Sequence, residues 1–352
     1  MKVLVGMSGG VDSSTAAYLL KKAGYEVEGI SFILFETRGK TDPTVCCSLQ
    51  AIEDASKTAA HIGIPHTVLD ARDTFIELVI EPFVESYLKG LTPNPCILCN
   101  RYIKFPLLLN EAEKRKAEFI ATGHYARVEH LNGVSLLKKG IDQKKDQSYV
   151  LYVLRQEELR RLVLPLGDYT KQDVRAIAKE LGLPVFKRPE SQEICFVEDR
   201  NYFKFIDKLN PMANKPGPIL DAKGTVIGTH EGIYKYTIGQ RKGLGISSPH
   251  PLYVTKIDVT KNAIYVGQKD DAMSREFLVH DLNWLIPKKE EFRAEVKVRS
   301  MMQAAPASVY SLDSTVKVVF DEPQWAPAPG QSAVFYDGDT VIGGGIIKSE
   351  SP

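Results

Sequence analysis

The 352-residue sequence predicts an α/β domain on a parallel sheet, then a small mainly β segment and a C-terminal antiparallel β domain. Three observations lead there. The first half alternates short apolar runs with helical stretches, Pro and Gly cluster near residue 211, and beyond about Phe277 only short β-type runs remain. At roughly 150 residues per domain, two or three domains are expected. The boundaries predicted are 1–210, 211–276 and 277–352.

Val3-Leu4-Val5 reads as a buried strand, and Ser13 to Ala23 as a helix stopped by Gly24. Val27 to Phe35 is a second strand. Ser48 caps a helix through Ala51, Ala55 and Ala59 that ends at Gly63. Thr67–Leu69 and Phe119–Ala121 add two strands, and Asn132-Gly133 marks a hairpin. Repeated β-α units place ligands at the carboxyl ends of the strands. Thr170 with Asp173 forms a capping box for a helix ending at Gly182-Leu183-Pro184. Pro211, Asn214 and Pro216-Gly217-Pro218 read as a linker, and Asp221–Gly224 and Thr260–Asn262 as turns. The runs 294–298, 308–310, 316–320, 333–336 and 341–348 suggest a small antiparallel barrel or sandwich.

The formal net charge is +1, which excludes a uniformly basic coat. By segment it is uneven: −4 over 1–90, +4 over 91–150, +5 over 201–270 and −4 over 271–352. The two positive stretches could grip a polyanion, or could be solvated surface lysines. No apolar run approaches the ~18 residues that span a bilayer, and residues 1–6 are too short for a signal peptide. Five cysteines are too few and too uneven for a secreted disulfide framework, so a cytoplasmic location is expected.

Ser8-Gly9-Gly10-Val11-Asp12-Ser13-Ser14 lies between the first strand and the first helix, with Gly6 and Met7 leading in. Glycines let backbone approach an anion, and a helix start favours negative charge. The Ser8, Ser13 and Ser14 hydroxyls can add hydrogen bonds to phosphate oxygens. The Walker A spacing and its lysine are absent. A tight turn in which Asp12 or Ser13 merely caps the helix is the plain alternative; the full string between strand and helix favours a phosphate site. Phe32, ending the second strand, can contact an adenine or simply fill the core.

Cys96 and Cys99 sit in Thr92-Pro93-Asn94-Pro95-Cys96-Ile97-Leu98-Cys99, read as a stiff loop with Cys99 near a helix start. Cys195 stands in Ser191-Gln192-Glu193-Ile194-Cys195-Phe196; nothing marks Cys46 and Cys47. One C-x-x-C cannot complete a tetrahedral zinc site locally, so no metal site is assigned. An iron–sulfur cluster on Cys96, Cys99 and Cys195 stays open as the less favoured reading.

The glycine string resembles the pyrophosphate loop (PP-loop) of the ATP pyrophosphatase superfamily, whose adenine-nucleotide α-hydrolase-like domain cleaves ATP between the α and β phosphates. That resemblance implies ATP, with Mg2+, bound by Gly6 to Ser13, Phe32 and Gly123. Thr92–Phe105, Ala121-Thr122-Gly123-His124-Tyr125-Ala126, Lys145-Asp146-Gln147-Ser148, the segment around Cys195 and Thr237–Leu244 follow in order. Together they resemble the tRNA-specific 2-thiouridylases (the MnmA/TrmU family) over nearly the whole chain.

The resemblance implies a C-terminal β-barrel and adenylation of the C2 oxygen of the wobble uridine. It assigns a persulfide to Cys195, an attacking thiol to Cys99 and a Cys99–Cys195 disulfide to the end of the cycle. Asn94, Pro95 and Cys96 would touch the target base. His124, Lys145, Asp146, Gln147, Arg299, Ser300 and Gln331 would touch tRNA at its anticodon loop. At Arg299-Ser300-Met301-Met302-Gln303 the sequence departs from the family's R-Y-R-Q-like string. Expected partners are tRNA and a sulfur-donor protein of a cysteine desulfurase relay, with no membrane and a monomeric free state. Competing readings are another PP-loop ligase or 4-thiouridine-forming enzyme, and an RNA-binding β domain joined to a nucleotide sensor.

Overall fold

The computed structural model describes residues 1–35, 49–186, 194–197, 201–287 and 290–349. The predicted Ser48 cap, Cys46, Cys47 and Ser191–Glu193 lie outside the described residues.

In chain order, β1 (Lys2–Gly6), α1 (Val11–Lys22), β2 (Glu26–Ile33), α2 (Leu49–Ile62), β3 (His66–Asp70) and α3 (Arg72–Phe75) come first. A π-helical turn, Ile76–Ile80, runs into α4 (Glu81–Leu88), and α5 (Pro95–Cys99) continues through a second, Asn100–Lys104, into α6 (Phe105–Lys114). Then come β4 (Phe119–Ala121), β5 (Ala126–Leu131), β6 (Val134–Lys139), α7 (Ser148–Leu151), α8 (Gln156–Arg161), β7 (Leu162–Val163), α9 (Lys171–Glu180) and α10 (Tyr202–Leu209). The β-rich remainder holds β8 (Gly217–Leu220), β9 (Val226–His230), β10 (Tyr253–Asp258), β11 (Ala263–Gly267) and β12 (Met273–Trp284). It ends with β13 (Glu291–Lys297), β14 (Ala305–Leu312), β15 (Thr315–Trp325), β16 (Ser332–Asp337) and β17 (Thr340–Ile347).

The chain forms two compact units, one of 1–80, 95–200 and 339–341, the other of 81–94, 201–338 and 342–352. The first is built on a parallel sheet of order β3-β2-β1-β4-β7. Val3, Leu4 and Val5 are fully buried, as a continuous apolar run in a parallel sheet should be. α1 opens at Val11, two residues before the predicted start, because Gly10 already holds the extended cap position. The predicted hairpin forms, with Asn132 and Gly133 both at positive φ (51° and 80°). The capping box also forms: Thr170 Oγ1 accepts from the Asp173 amide at 3.2 Å, and the Thr170 amide donates back to Asp173 Oδ2 at 2.8 Å.

In the second unit, β10-β11-β8-β9 make a small sheet, and β8 begins inside the Pro216–Pro218 stretch read as linker. The C-terminal strands run β12-β15-β14-β13-β16-β17, and antiparallel pairing of β12 with β17 closes them into a six-stranded barrel. Closure answers the barrel-or-sandwich question. The barrel is filled by inward side chains such as Val279, Val296, Val309, Val318 and Phe335. Among the described residues, no helix is long and apolar enough to cross a membrane.

Candidate active site

Strand order fixes where a ligand can sit. From β1 the chain steps to β2 on one side and later returns to β4 on the other, so the β1/β4 boundary is the topological switch point. The glycine loop leaves the carboxyl end of β1, and Thr122-Gly123-His124 leaves that of β4. Gly123 lies flush against the loop: a Cβ there would sit 2.6 Å from the Ser13 amide nitrogen. Gly9 has φ +69°, and a Cβ on it would fall 1.9 Å from the Ala51 carbonyl oxygen. Only glycine fits either place.

Ser13 Oγ accepts from the Ser8 amide at 3.1 Å, lies 3.2 Å from Ser8 Oγ and donates to the Gly10 carbonyl at 3.3 Å, so it ties the loop together. No side chain caps α1 at Gly10, which leaves the helix start available to an anion. A nucleotide's phosphates fit this cradle, which is backbone-rich and carries no Cβ at Gly9, Gly10 or Gly123. Gly6 and Met7 frame it rather than line it. The Met7 backbone is held by the Ile30 carbonyl (2.7 Å) and the Ser31 hydroxyl (2.6 Å), and its side chain is in the core. Val11 is core as well. Ser14, expected to reach phosphate, is fully buried, and Ser13 beside it is buried as well. Phe32 is half-buried on β2.

Asp12 brings a surprise. Its carboxylate accepts from Lys171 Nζ at 2.7 and 2.8 Å and from the Tyr125 hydroxyl at 2.7 Å. Lys171 is the first residue of α9, and its side chain is only 11% exposed. Sequence reasoning missed it. A signal existed: a cation in the first turn of a helix opposes the macrodipole and calls for a compensating partner.

The cysteine region differs from the stiff loop predicted. Pro95 opens a helix, as proline does at a first helical position, and Cys99 lies one turn inside it. Cys96, in the first turn, is exposed and Cys99 is buried. The π-helical turn that follows Cys99 is a feature frequent at functional sites. α5 packs against Ile76–Ile80. Phe196, next to the half-buried Cys195, meets Phe75 edge-on at 5.7 Å. Both cysteine-bearing segments thus rest on one helical stretch, Arg72–Ile80. Among the described residues no three His, Cys, Asp or Glu side chains converge as a metal-binding group.

Asn100 Nδ2 donates to the Val150 carbonyl at 2.9 Å, which fastens the cysteine helix to α7 and the Lys145–Gln147 loop before it. Within that loop Asp146 stands just ahead of α7, accepting from Ser148 N and Oγ at 3.1 and 2.8 Å, and Gln147 Oε1 accepts from the Tyr125 amide at 2.9 Å. The Lys145 amide donates to the Asp142 carbonyl at 2.9 Å, a turn that leaves the side chain partly open. His124 is buried, its Nδ1 2.7 Å from Thr122 Oγ1 and its ring stacked on Phe105. Burial, with the Lys104 charge adding, holds its pKa well below the usual histidine value.

Four expected contacts lie in the second unit. Arg299 Nη2 donates to the Ile238 and Ala326 carbonyls, both at 2.9 Å, while Ser300 is exposed. Gln331 Nε2 donates to the Thr92 carbonyl at 2.9 Å, two residues before Asn94, which is half-buried. Pro95 itself is buried.

Three family models match: a tRNA methyl transferase HUP domain over residues 1–199, a tRNA methyl transferase PRC-barrel domain over 204–268 and an aminomethyltransferase β-barrel domain over 274–347. The tRNA-specific 2-thiouridylase MnmA of Halothermothrix orenii is 49% identical over 99% of both chains. MnmA 2 of Caldanaerobacter subterraneus subsp. tengcongensis is 50% identical over 99% of this chain and 98% of its own. A solved 4-thiouridine synthetase–RNA complex with bound ATP overlaps 60% of this chain and 50% of its own, at TM-score 0.37 and 18% identity. With half of all positions shared from end to end, and the glycine loop and cysteine segments in place, this chain belongs to the tRNA-specific 2-thiouridylase (MnmA) family.

Proposed function

We propose that the protein makes 2-thiouridine in tRNA, activating the C2 oxygen of the wobble uridine with ATP and replacing it with persulfide sulfur. The observation that carries this reading is the conjunction just described: an anion cradle at the switch point, and two cysteine-bearing segments on the single stretch Arg72–Ile80.

The uridine O2 attacks the α phosphorus held at the loop. The bond from that phosphorus to the α–β bridging oxygen breaks, its electron pair leaves on pyrophosphate, and the N3 proton passes to solvent. Mg2+ bound with the nucleotide would supply further positive charge to its phosphates. The terminal sulfur of a Cys195 persulfide then attacks C2 and AMP departs. Cys99 thiolate attacks Cys195 Sγ, freeing the sulfur on C2 and closing a Cys99–Cys195 disulfide. A thiol reductant restores both cysteines.

In this reading residues 1–210 carry the chemistry, and 211–276 and 277–352 grip tRNA near its anticodon loop. A cysteine desulfurase relay protein loads Cys195 in the cytoplasm, and the free enzyme is a monomer. The descriptions of the first two family models name methyl transfer. Methyl transfer calls for no pyrophosphate cradle, so the glycine loop suits the relatives' name better.

The test is mass spectrometry of tRNA after incubation with ATP and a persulfide donor. Cys195→Ser should adenylate tRNA but take up no sulfur. Cys99→Ser should keep sulfur on Cys195 and yield no thiolated product, and Cys96→Ser should be much milder. Equal loss in all three, with iron bound to the parent, would replace the persulfide route with a cluster.

A further inference from the structure

We propose that Cys96 is a third working thiol: it takes the disulfide over from Cys195, closing a Cys96–Cys99 bridge near the surface and freeing Cys195 for its next sulfur. The inference rests on the persulfide reading above and adds to it the step that resets the oxidised enzyme.

That reading ends with a Cys99–Cys195 disulfide, which an external thiol must reduce. Exchange requires the attacking sulfur to reach one of the two bonded sulfurs, so access limits it. Cys99 is only 8% exposed, and Cys195 is half-buried beside the buried Phe196. Neither offers an open sulfur to a reductant protein that arrives from solvent. Among the described cysteines the exposed one is Cys96.

Cys96 and Cys99 stand three positions apart in α5. Residues at that spacing share one face of a helix, so this face carries one thiol at the surface and one in the interior. Their Cα atoms lie about 5 Å apart by helix geometry, inside the ~4.4–6.8 Å that a disulfide spans. The Cβ atoms, about 5–6 Å apart in a regular helix, have to close to about 4 Å. That adjustment falls on the first turn, the part of the helix best able to make it. Pro95 brings no N–H, and the Cys96 and Ile97 amides come too early for an intrahelical acceptor.

The step balances without an added oxidant. Cys96 gives its proton to solvent, and its thiolate attacks Cys99 Sγ. The Cys96–Cys99 bond forms as the Cys99–Cys195 bond breaks, and the electron pair leaves on Cys195 Sγ, which takes up a proton. A dithiol reductant protein then attacks the exposed Cys96 Sγ. Both enzyme thiols are regenerated as the reductant's own two thiols are oxidised to a disulfide.

The experiment loads Cys195 with one sulfur and lets the parent, Cys96→Ser and Cys96→Ala turn over once with ATP and tRNA, without reductant. An acid quench, alkylation of the remaining thiols and peptide mass spectrometry then map the disulfides. The parent should show Cys96 linked to Cys99, with Cys195 alkylated. Both variants should make as much thiolated tRNA in that turnover and keep Cys99 linked to Cys195. With thioredoxin as reductant their repeated turnover should fall about fivefold or more, and a small phosphine should restore it to within about twofold. A Cys96 that only touched the base or filled space would not be rescued in this way. A parent with Cys99 linked to Cys195 and Cys96 alkylated would overturn the proposal. So would variants that lose the first turnover, that keep the parent's rate on thioredoxin, or that the phosphine leaves slow. Thiolated tRNA formed with no disulfide in any of the three proteins, or none formed by the parent, would sink the persulfide reading together with this one.

Discussion

At the scale of single residues, the site depends on groups whose charge is set by burial. His124 is held neutral, so any contact it makes with RNA is a hydrogen bond and not a charge pair. The sign of its pH effect follows. The unfolded chain takes up a proton on this histidine near pH 6.5, and the folded protein does so only well below that. Its stabilising contribution is complete above that pH and is lost as pH falls through the lower folded value. Burial lowers His66 and His230 in the same direction. Melting temperature should therefore drop between about pH 7.5 and about pH 5.5, and His124→Gln should show a shallower drop. An unchanged slope would place the acid sensitivity elsewhere. The glycine loop was legible because its logic is local, all of it within seven consecutive residues. Lys171 was not, since its partner stands 159 positions away and only the misplaced charge on a helix start hinted at it.

At the scale of elements, the reading succeeded where turn and cap chemistry decide the outcome and failed where one helix runs into another. The capping box at Thr170 and the Asn132-Gly133 hairpin were written in two to four neighbouring residues. Two prolines around Asn94 suggested a loop, yet Pro95 begins a helix that runs without a break from Cys96 to Lys114. The segment ahead of it is pinned: the Thr92 amide donates to the Pro329 carbonyl at 2.8 Å, and its carbonyl accepts from Gln331. A Cβ on Gly330 would fall 2.9 Å from the Thr92 nitrogen, so the two backbones touch. Gln331→Ala should release one hydrogen bond, worth about 1 kcal/mol, and speed Thr92 amide exchange about fivefold. If Gln331 serves only RNA, exchange in the free protein would stay the same while tRNA affinity fell.

At the scale of the whole molecule, near-neutral net charge conceals a basic central stretch whose Arg241 and Lys242 are both exposed. If they meet tRNA phosphates, Arg241→Gln/Lys242→Gln should lower the dependence of log affinity on log salt by roughly 1 to 2, the counterion release of two contacts. An unchanged slope would leave that face as ordinary solvated surface. The sheet order and closed barrel follow from periodicity only up to the class of fold. Closure itself depends on Val279 pairing with Ile347, which no local pattern announces. The first unit, likewise, is finished by residues 339–341. Thr340 pairs with Lys138, the Lys139 amide donates to the Asp339 carbonyl at 2.8 Å, and Arg127 meets the Asp339 carboxylate at 3.2 Å. A ribosome adding ~5–20 residues per second delivers these partners roughly 10 to 40 seconds after the hairpin they complete. Until then the nascent chain carries an unfinished β edge, the kind of surface on which aggregation starts. A message cut short before residue 339 would yield the glycine loop and both cysteine segments on a unit still missing its last β partner, so the order of synthesis makes completion of this unit a late event.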